Sequence, residues 1–187
     1  MMRWFGWLIG LILAAACVAA LAGWTPAASS ARAASAAAVA DVARLSALAD
    51  GVLAEEGRLW VVTARTNDGL LRWSGADAGE AARWIERTAE TLPTGSSALW
   101  FVNAQGRLAA GVAIADVPAR VADGADATLV ETYADGDTFS YAYDAPAFGA
   151  RLGEGGGAVS LQAAAHRDTE SGAWRVTLGT PVVMMEY

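Results

Sequence analysis

The run WFGWLIGLILAAACVAALAGW, residues 4–24, carries no charged side chain, and no other stretch limits the architecture of the chain so strongly. As a helix rising about 1.5 Å per residue it would extend roughly 30 Å, the thickness of the hydrocarbon core of a bilayer. Trp4, Phe5 and Trp7 stand at one end and Trp24 at the other, where indole rings favour the boundary between lipid and water. Arg3 and the amino terminus form a positive cluster before the run, against Arg32 alone within reach after it, a bias that keeps the amino terminus in the cytoplasm. The expectation is a single-pass anchor in the inner (cytoplasmic) membrane, with Trp4, Trp7 and Trp24 at its interfaces and a periplasmic or extracellular domain beyond.

Two other readings use the same residues. A cleavable signal peptide would start on residues 1–3 and be cut after Ala20, Leu21 and Ala22, which offer small side chains where signal peptidase needs them. A lipoprotein signal would use Cys17, but Ala14 stands three residues before it where Leu is expected, and the chain stays apolar beyond it. A retained anchor accounts for the full length of the run and for aromatic residues at both ends. Gly6, Gly10 and Ala14 recur every four residues and place three small side chains on one helix face, against which another membrane helix could pack closely. The expected partners are therefore the lipid bilayer and, through Gly6, Gly10 and Ala14, a membrane-protein complex or a second copy of the chain.

Beyond the anchor, the 187-residue chain has the length of one ordinary domain. Its one cysteine lies inside the apolar run, so the exported part is expected to rely on packing rather than on disulfides or thiol chemistry. A net charge of −7, with 20 acidic residues against 13 basic ones, argues against a nucleic-acid partner, whose affinity comes largely from basic groups on phosphates.

Three segments are expected: the anchor at 1–24, an Ala-rich stalk or linker at 25–56, and an exported domain at 57–187. In the second, Val39, Val42, Leu45, Leu48 and Val52 recur at helical spacing, which predicts a helix over 35–55 ended by Gly57. In the third, strands alternate with turn signals. RLWVVTART, NDG and LLRWS predict a first hairpin over 59–73. Asp77 as a cap, helical spacing from Ala81 to Leu92, and Pro93 predict a helix over 77–92. SALWFVNAQGRLAAGVAIA reads as a second hairpin turning at Asn103–Gly106. TLVETYADGDTFSYAYDAP is a third, with Phe139, Tyr141 and Tyr143 on an inward face, and AVSLQAAAHRDTESGAWRVTLGTPVV a fourth around 168–172. GEGGG at 153–157 reads as a loop. The fold class expected is α+β, with about eight antiparallel strands in hairpins and one or two packing helices after the membrane helix.

Chemistry is sparsely signalled. His166, the one histidine, falls on the more polar face of its strand, and neither Ser160 nor Ser171 sits in a motif that activates serine. One histidine and one membrane cysteine cannot supply a zinc site. The acidic residues between Asp116 and Asp144 match no calcium loop, and Asp135, Gly136 and Asp137 are what a hairpin turn uses. GEGGG lacks the Lys, the Ser or Thr and the following helix of a P-loop. A carboxylate pair among Asp123, Glu131 and Asp137 is the remaining catalytic option. No cofactor, metal or catalytic residue is expected.

The segment LWFVNAQGRLAAG resembles hairpins in extracellular sensor domains of the PAS and Cache type, which also hang from a membrane helix. That resemblance implies a ligand-binding module rather than a complete receptor, since no second span or output domain follows in the sequence. The function expected first is a non-catalytic, membrane-anchored accessory subunit presenting its domain to a larger complex of respiratory or photosynthetic type. The alternative is a periplasmic ligand-binding module released by signal peptidase.

Overall fold

The computed structural model describes residues 31–153 and 157–185. The anchor positions Gly6, Gly10, Ala14, Trp4, Trp7 and Trp24 lie outside the described residues. Among those that are described, no helix is long and apolar enough to cross a membrane.

The described part begins with helix α1 (Ala31–Asp50) and the hairpin β1 (Leu59–Thr66) and β2 (Gly69–Gly75). Helix α2 (Ala78–Thr91), strand β3 (Ala98–Arg107), a 3-10 turn (Ile114–Asp116) and helix α3 (Val117–Ala125) follow. Two hairpins complete the fold: β4 (Thr128–Asp135) with β5 (Thr138–Asp144), then β6 (Leu161–Arg167) with β7 (Trp174–Thr180). The seven strands form one antiparallel sheet in the order β2-β1-β3-β7-β6-β5-β4, so the domain is α+β.

All three helices lie on one face of this sheet. Strand alternation sends Trp60, Val62 and Ala64 of β1, Trp100 and Val102 of β3, Leu161 and Ala163 of β6 and Val176 and Leu178 of β7 into that layer. They meet Val42, Leu45 and Leu48 of α1, Ala81 and Ile85 of α2 and Val117 and Val121 of α3. The helix expected over 35–55 is thus α1, five residues shorter at its carboxyl end, and its apolar stripe is part of the domain core. Asp77 caps α2 by accepting from the Glu80 amide at 2.7 Å, as its sequence signal implied. Phe139, Tyr141 and Tyr143 do share the inward face: the Tyr143 ring is buried and Phe139 contacts Tyr141 and Trp174.

The expected second hairpin does not exist. β3 runs unbroken through Asn103, Ala104, Gln105 and Gly106, and the stretch after it forms a 3-10 turn and α3 in place of a strand. Seven strands and three helices therefore replace about eight strands and one or two packing helices. The cause is that both polar side chains of the supposed turn have partners far along the chain: Gln105 donates to Thr177 Oγ1 of β7 at 3.0 Å, and Asn103 Oδ1 accepts from the Met184 amide of the carboxyl-terminal segment at 3.1 Å. Gly106 does not turn the chain, since it has no left-handed backbone, and a Cβ there would make only ordinary contacts, 3.6 Å from Leu53 and 3.7 Å from the Ala54 carbonyl. With 99–107 a single strand, the likeness to sensor-domain hairpins loses the feature that carried it.

Candidate functional site

The helix-free face of the sheet is polar over most of its width. Its side chains come from the alternate set of positions, and pairing between strands arranges them in rows. Ser140, Ala164, Thr177 and Gln105 form one row across β5, β6, β7 and β3; Gln162, Gly179 and Asn103 form the next across β6, β7 and β3. Ser140, Thr177, Gln105 and Asn103 are buried and Gln162 is half-buried; Gln162 Nε2 donates to Ser140 Oγ at 2.7 Å, and Gln105 Nε2 to Thr177 Oγ1.

The carboxyl-terminal segment lies across the second of these rows. Val183 donates its amide to Gln162 Oε1 at 2.8 Å and Met184 donates its amide to Asn103 Oδ1. Val182 joins Leu99, Phe101 and Leu152 in a small apolar cluster. The segment can approach because position 179 has no side chain: a Cβ there would lie 2.6 Å from Asn103 Oδ1 and 2.9 Å from both Val182 O and Val183 N. Asn103 Nδ2, fully buried beneath it, has no hydrogen-bond partner among the described residues.

Further along the same face the row is basic. Arg107, the last residue of β3, lies directly opposite Arg175 of β7, and Arg175 lies directly opposite His166 of β6. Both arginines are exposed. Like charges placed opposite one another on an antiparallel pair destabilise it by a fraction of a kcal/mol. Among the described residues, acidic groups within 4.0 Å pair with Arg44, Arg58, Arg83, Arg151 and Arg167, and none with Arg107 or Arg175. The nearest influence is longer in range: Arg175 acts electrostatically on Asp168 in the β6–β7 turn.

The residues weighed for catalysis are dispersed. Ser160 is fully buried, and its hydroxyl both accepts from the Ala145 amide at 2.7 Å and donates to the Ala145 carbonyl at 3.0 Å. It stands six residues along the chain from His166, roughly 20 Å in an extended strand. His166 Nδ1 meets Thr138 Oγ1 at 2.9 Å. Ser171 donates to Asp168 Oδ1, and the bonds from its amide and hydroxyl hold the Asp168 carboxyl below its ordinary value. Asp123 lies on α3 in the helix layer, Glu131 on β4 and Asp137 in the β4–β5 turn, so the carboxylates do not converge. Among the described residues no three potential metal ligands gather.

One buried carboxylate escaped the sequence reading. Asp41, in the middle of α1, is 1% exposed; it accepts from the amides of Gly149 and Ala150 at 2.9–3.2 Å and pairs with Arg44. Burial raises its carboxyl above the ordinary value, an effect that those amides and Arg44 only partly offset. Its role is architectural, clasping the β5–β6 loop to α1. No protein-family model, curated protein or solved structure matches the chain.

Proposed function

We propose that the chain is a non-catalytic, single-span accessory subunit that presents its α+β domain to a larger membrane-protein complex on the periplasmic or extracellular side. The observation that carries this reading is the position of α1. Its described part runs from Ala31 and is built into the core, so at most six residues, 25–30, lie between it and the apolar run. Six residues reach at most about 20 Å when fully extended. A domain tethered that closely meets a neighbour in the same membrane at high effective concentration, and modest contacts then suffice.

The sheet edges suit such contacts. β2 is an edge strand with unbroken pairing to β1 and with Leu70 and Leu71 exposed by 62% and 40%. The opposite edge, β4, is interrupted by a register shift between Leu129 and Glu131 and carries Glu131 and Asp135, features that discourage edge pairing. An open apolar edge on one side and a guarded edge on the other fit docking by β2.

The test is the intact mass of the protein in the membrane fraction, with the identity of what co-purifies in mild detergent. A chain retaining its first residues, together with stable partners lost in Gly6→Leu/Gly10→Leu but kept in Ile12→Leu, supports the proposal. A soluble species beginning at Gly23 refutes it. That outcome would favour the second reading, a released ligand-binding module, which the basic row on the helix-free face also favours.

A further inference from the structure

We propose that Arg107 and Arg175, with His166 beside them, form a binding site for a phosphate group on the helix-free face of the sheet. The site belongs wholly to the folded domain, so it stands or falls separately from retention of the amino-terminal run.

Three observations converge. First, β6, β7 and β3 are adjacent and in direct register at these residues, so neighbouring Cα atoms lie about 4.5–5.5 Å apart and the three side chains leave the same face. Two guanidinium groups so placed can close on one tetrahedral oxyanion from both sides, each offering the paired N–H donors that suit phosphate. Second, the chain is acidic overall, −7 with 20 carboxylate side chains. Yet the close ion pairs of Arg44, Arg58, Arg83, Arg151 and Arg167 do not extend to Arg107 or Arg175 among the described residues. Apart from the longer-range influence between Arg175 and Asp168, the like-charge pair faces itself, an arrangement that an external anion would relieve. Third, the platform is fixed. Thr177 and Gln105, two residues along the strands from Arg175 and Arg107, are buried and bonded to each other, and Thr138 holds the His166 ring. The bases of the three side chains are thereby ordered before a ligand arrives, which lowers the entropic cost of capture.

The phosphate could belong to a soluble molecule or to the headgroup of an anionic phospholipid, and the short tether makes the second source reachable. His166 is the sole histidine in the chain, so its imidazole gives a single, assigned reporter in proton–nitrogen spectra of the full-length protein without a polyhistidine tag. In phosphatidylcholine nanodiscs, inorganic phosphate exchanged for chloride at constant ionic strength and pH is expected to move the imidazole resonances saturably. Arg107→Gln/Arg175→Gln should weaken the response at least tenfold. Arg72→Gln, on the same face but outside the row, should leave it unchanged. In discs containing phosphatidylglycerol, a headgroup source predicts resonances already displaced and little further response to phosphate, whereas a soluble source predicts the same titration in both discs. The proposal is overturned if wild-type protein shows no saturable shift with phosphate and none with phosphatidylglycerol. It is equally overturned if Arg72→Gln weakens the response as much as the double variant, which would reveal diffuse attraction rather than a site.

Discussion

Gly179→Ala is the sharpest test of how the helix-free face is closed. The backbone at this position needs no left-handed conformation, so the effect of a methyl group is steric. It would meet Asn103 Oδ1 at 2.6 Å and two backbone atoms, Val182 O and Val183 N, at 2.9 Å. Restoring ordinary contact requires a shift of at least about half an ångström, and backbone on both sides of the contact cannot swing aside as a long side chain would. The carboxyl-terminal segment must therefore lift. Lifting it breaks the bonds from Val183 to Gln162 and from Met184 to Asn103, each contributing about 1 kcal/mol net. It also uncovers Val182 against Phe101 and Leu152, a further loss of roughly 1–2 kcal/mol. The sum, about 3–4 kcal/mol, corresponds to a fall in Tm of roughly 10 °C at 2–4 °C per kcal/mol for a domain of this size. Thermal unfolding by circular dichroism reads the fall, and amide exchange at residues 182–184 should show it locally. Gly157→Ala, where a Cβ would meet nothing within 4 Å, is the control. A Tm within about 2 °C of wild type would refute the claim that the segment is pressed onto β7.

Other perturbations have separable outcomes. Because burial raises the Asp41 carboxyl, at pH between the ordinary and the raised value the folded chain binds more proton there than the unfolded chain does. The stability Asp41 contributes relative to Asp41→Asn should be full below about pH 4 and shrink as pH rises through the raised value; a difference in Tm that does not depend on pH would contradict this. Arg175→Gln, which removes the like-charge opposition to Arg107, should raise Tm by about 1–2 °C in phosphate-free buffer, read by the same melting experiment. Asp137→Asn should leave the fold and any associated activity largely intact, and an activity loss beyond about a hundredfold with folding retained would mark a general acid or base.

The parts of the fold that were legible in the sequence are those whose determinants are local. Asn67 to Gly69, Gly136 and the Asp168 to Gly172 turn each carry their own backbone requirement, and the hairpins lie where these residues place them. Asp77 and Pro93 bracket α2 in the same way. β3 was misread because Asn103 and Gln105 are common in turns when their side chains have no better partner. Their partners here, Met184 and Thr177, lie 81 and 72 residues further on. Helix α3 was missed although Pro118 stands in its first turn, a helix-start signal, because VPARVADGA is short and carries Gly and few large apolar residues. Asp41 could not be recognised as buried, since the loop amides it accepts from are 108 and 109 residues away.

The basic row shows where reading by hairpins stops. Once the β6–β7 turn is placed, the facing of His166 and Arg175 follows from counting outward along the two strands, so two of its three members were within reach of the sequence. Arg107 was not, because β3 and β7 are joined by no local connection and their register depends on how the whole sheet closes around the helix layer. That register sets two arginines face to face at some cost to the sheet, in a chain with carboxylates to spare. Packing gives no reason for it: the helices and the apolar core lie on the other face, and the carboxyl-terminal segment crosses a different row. A charge arrangement that packing does not require and that no carboxylate among the described residues contacts directly is where a ligand's charge would be most favourable, and this is why the phosphate titration, rather than a further stability measurement, bears most directly on what the domain does.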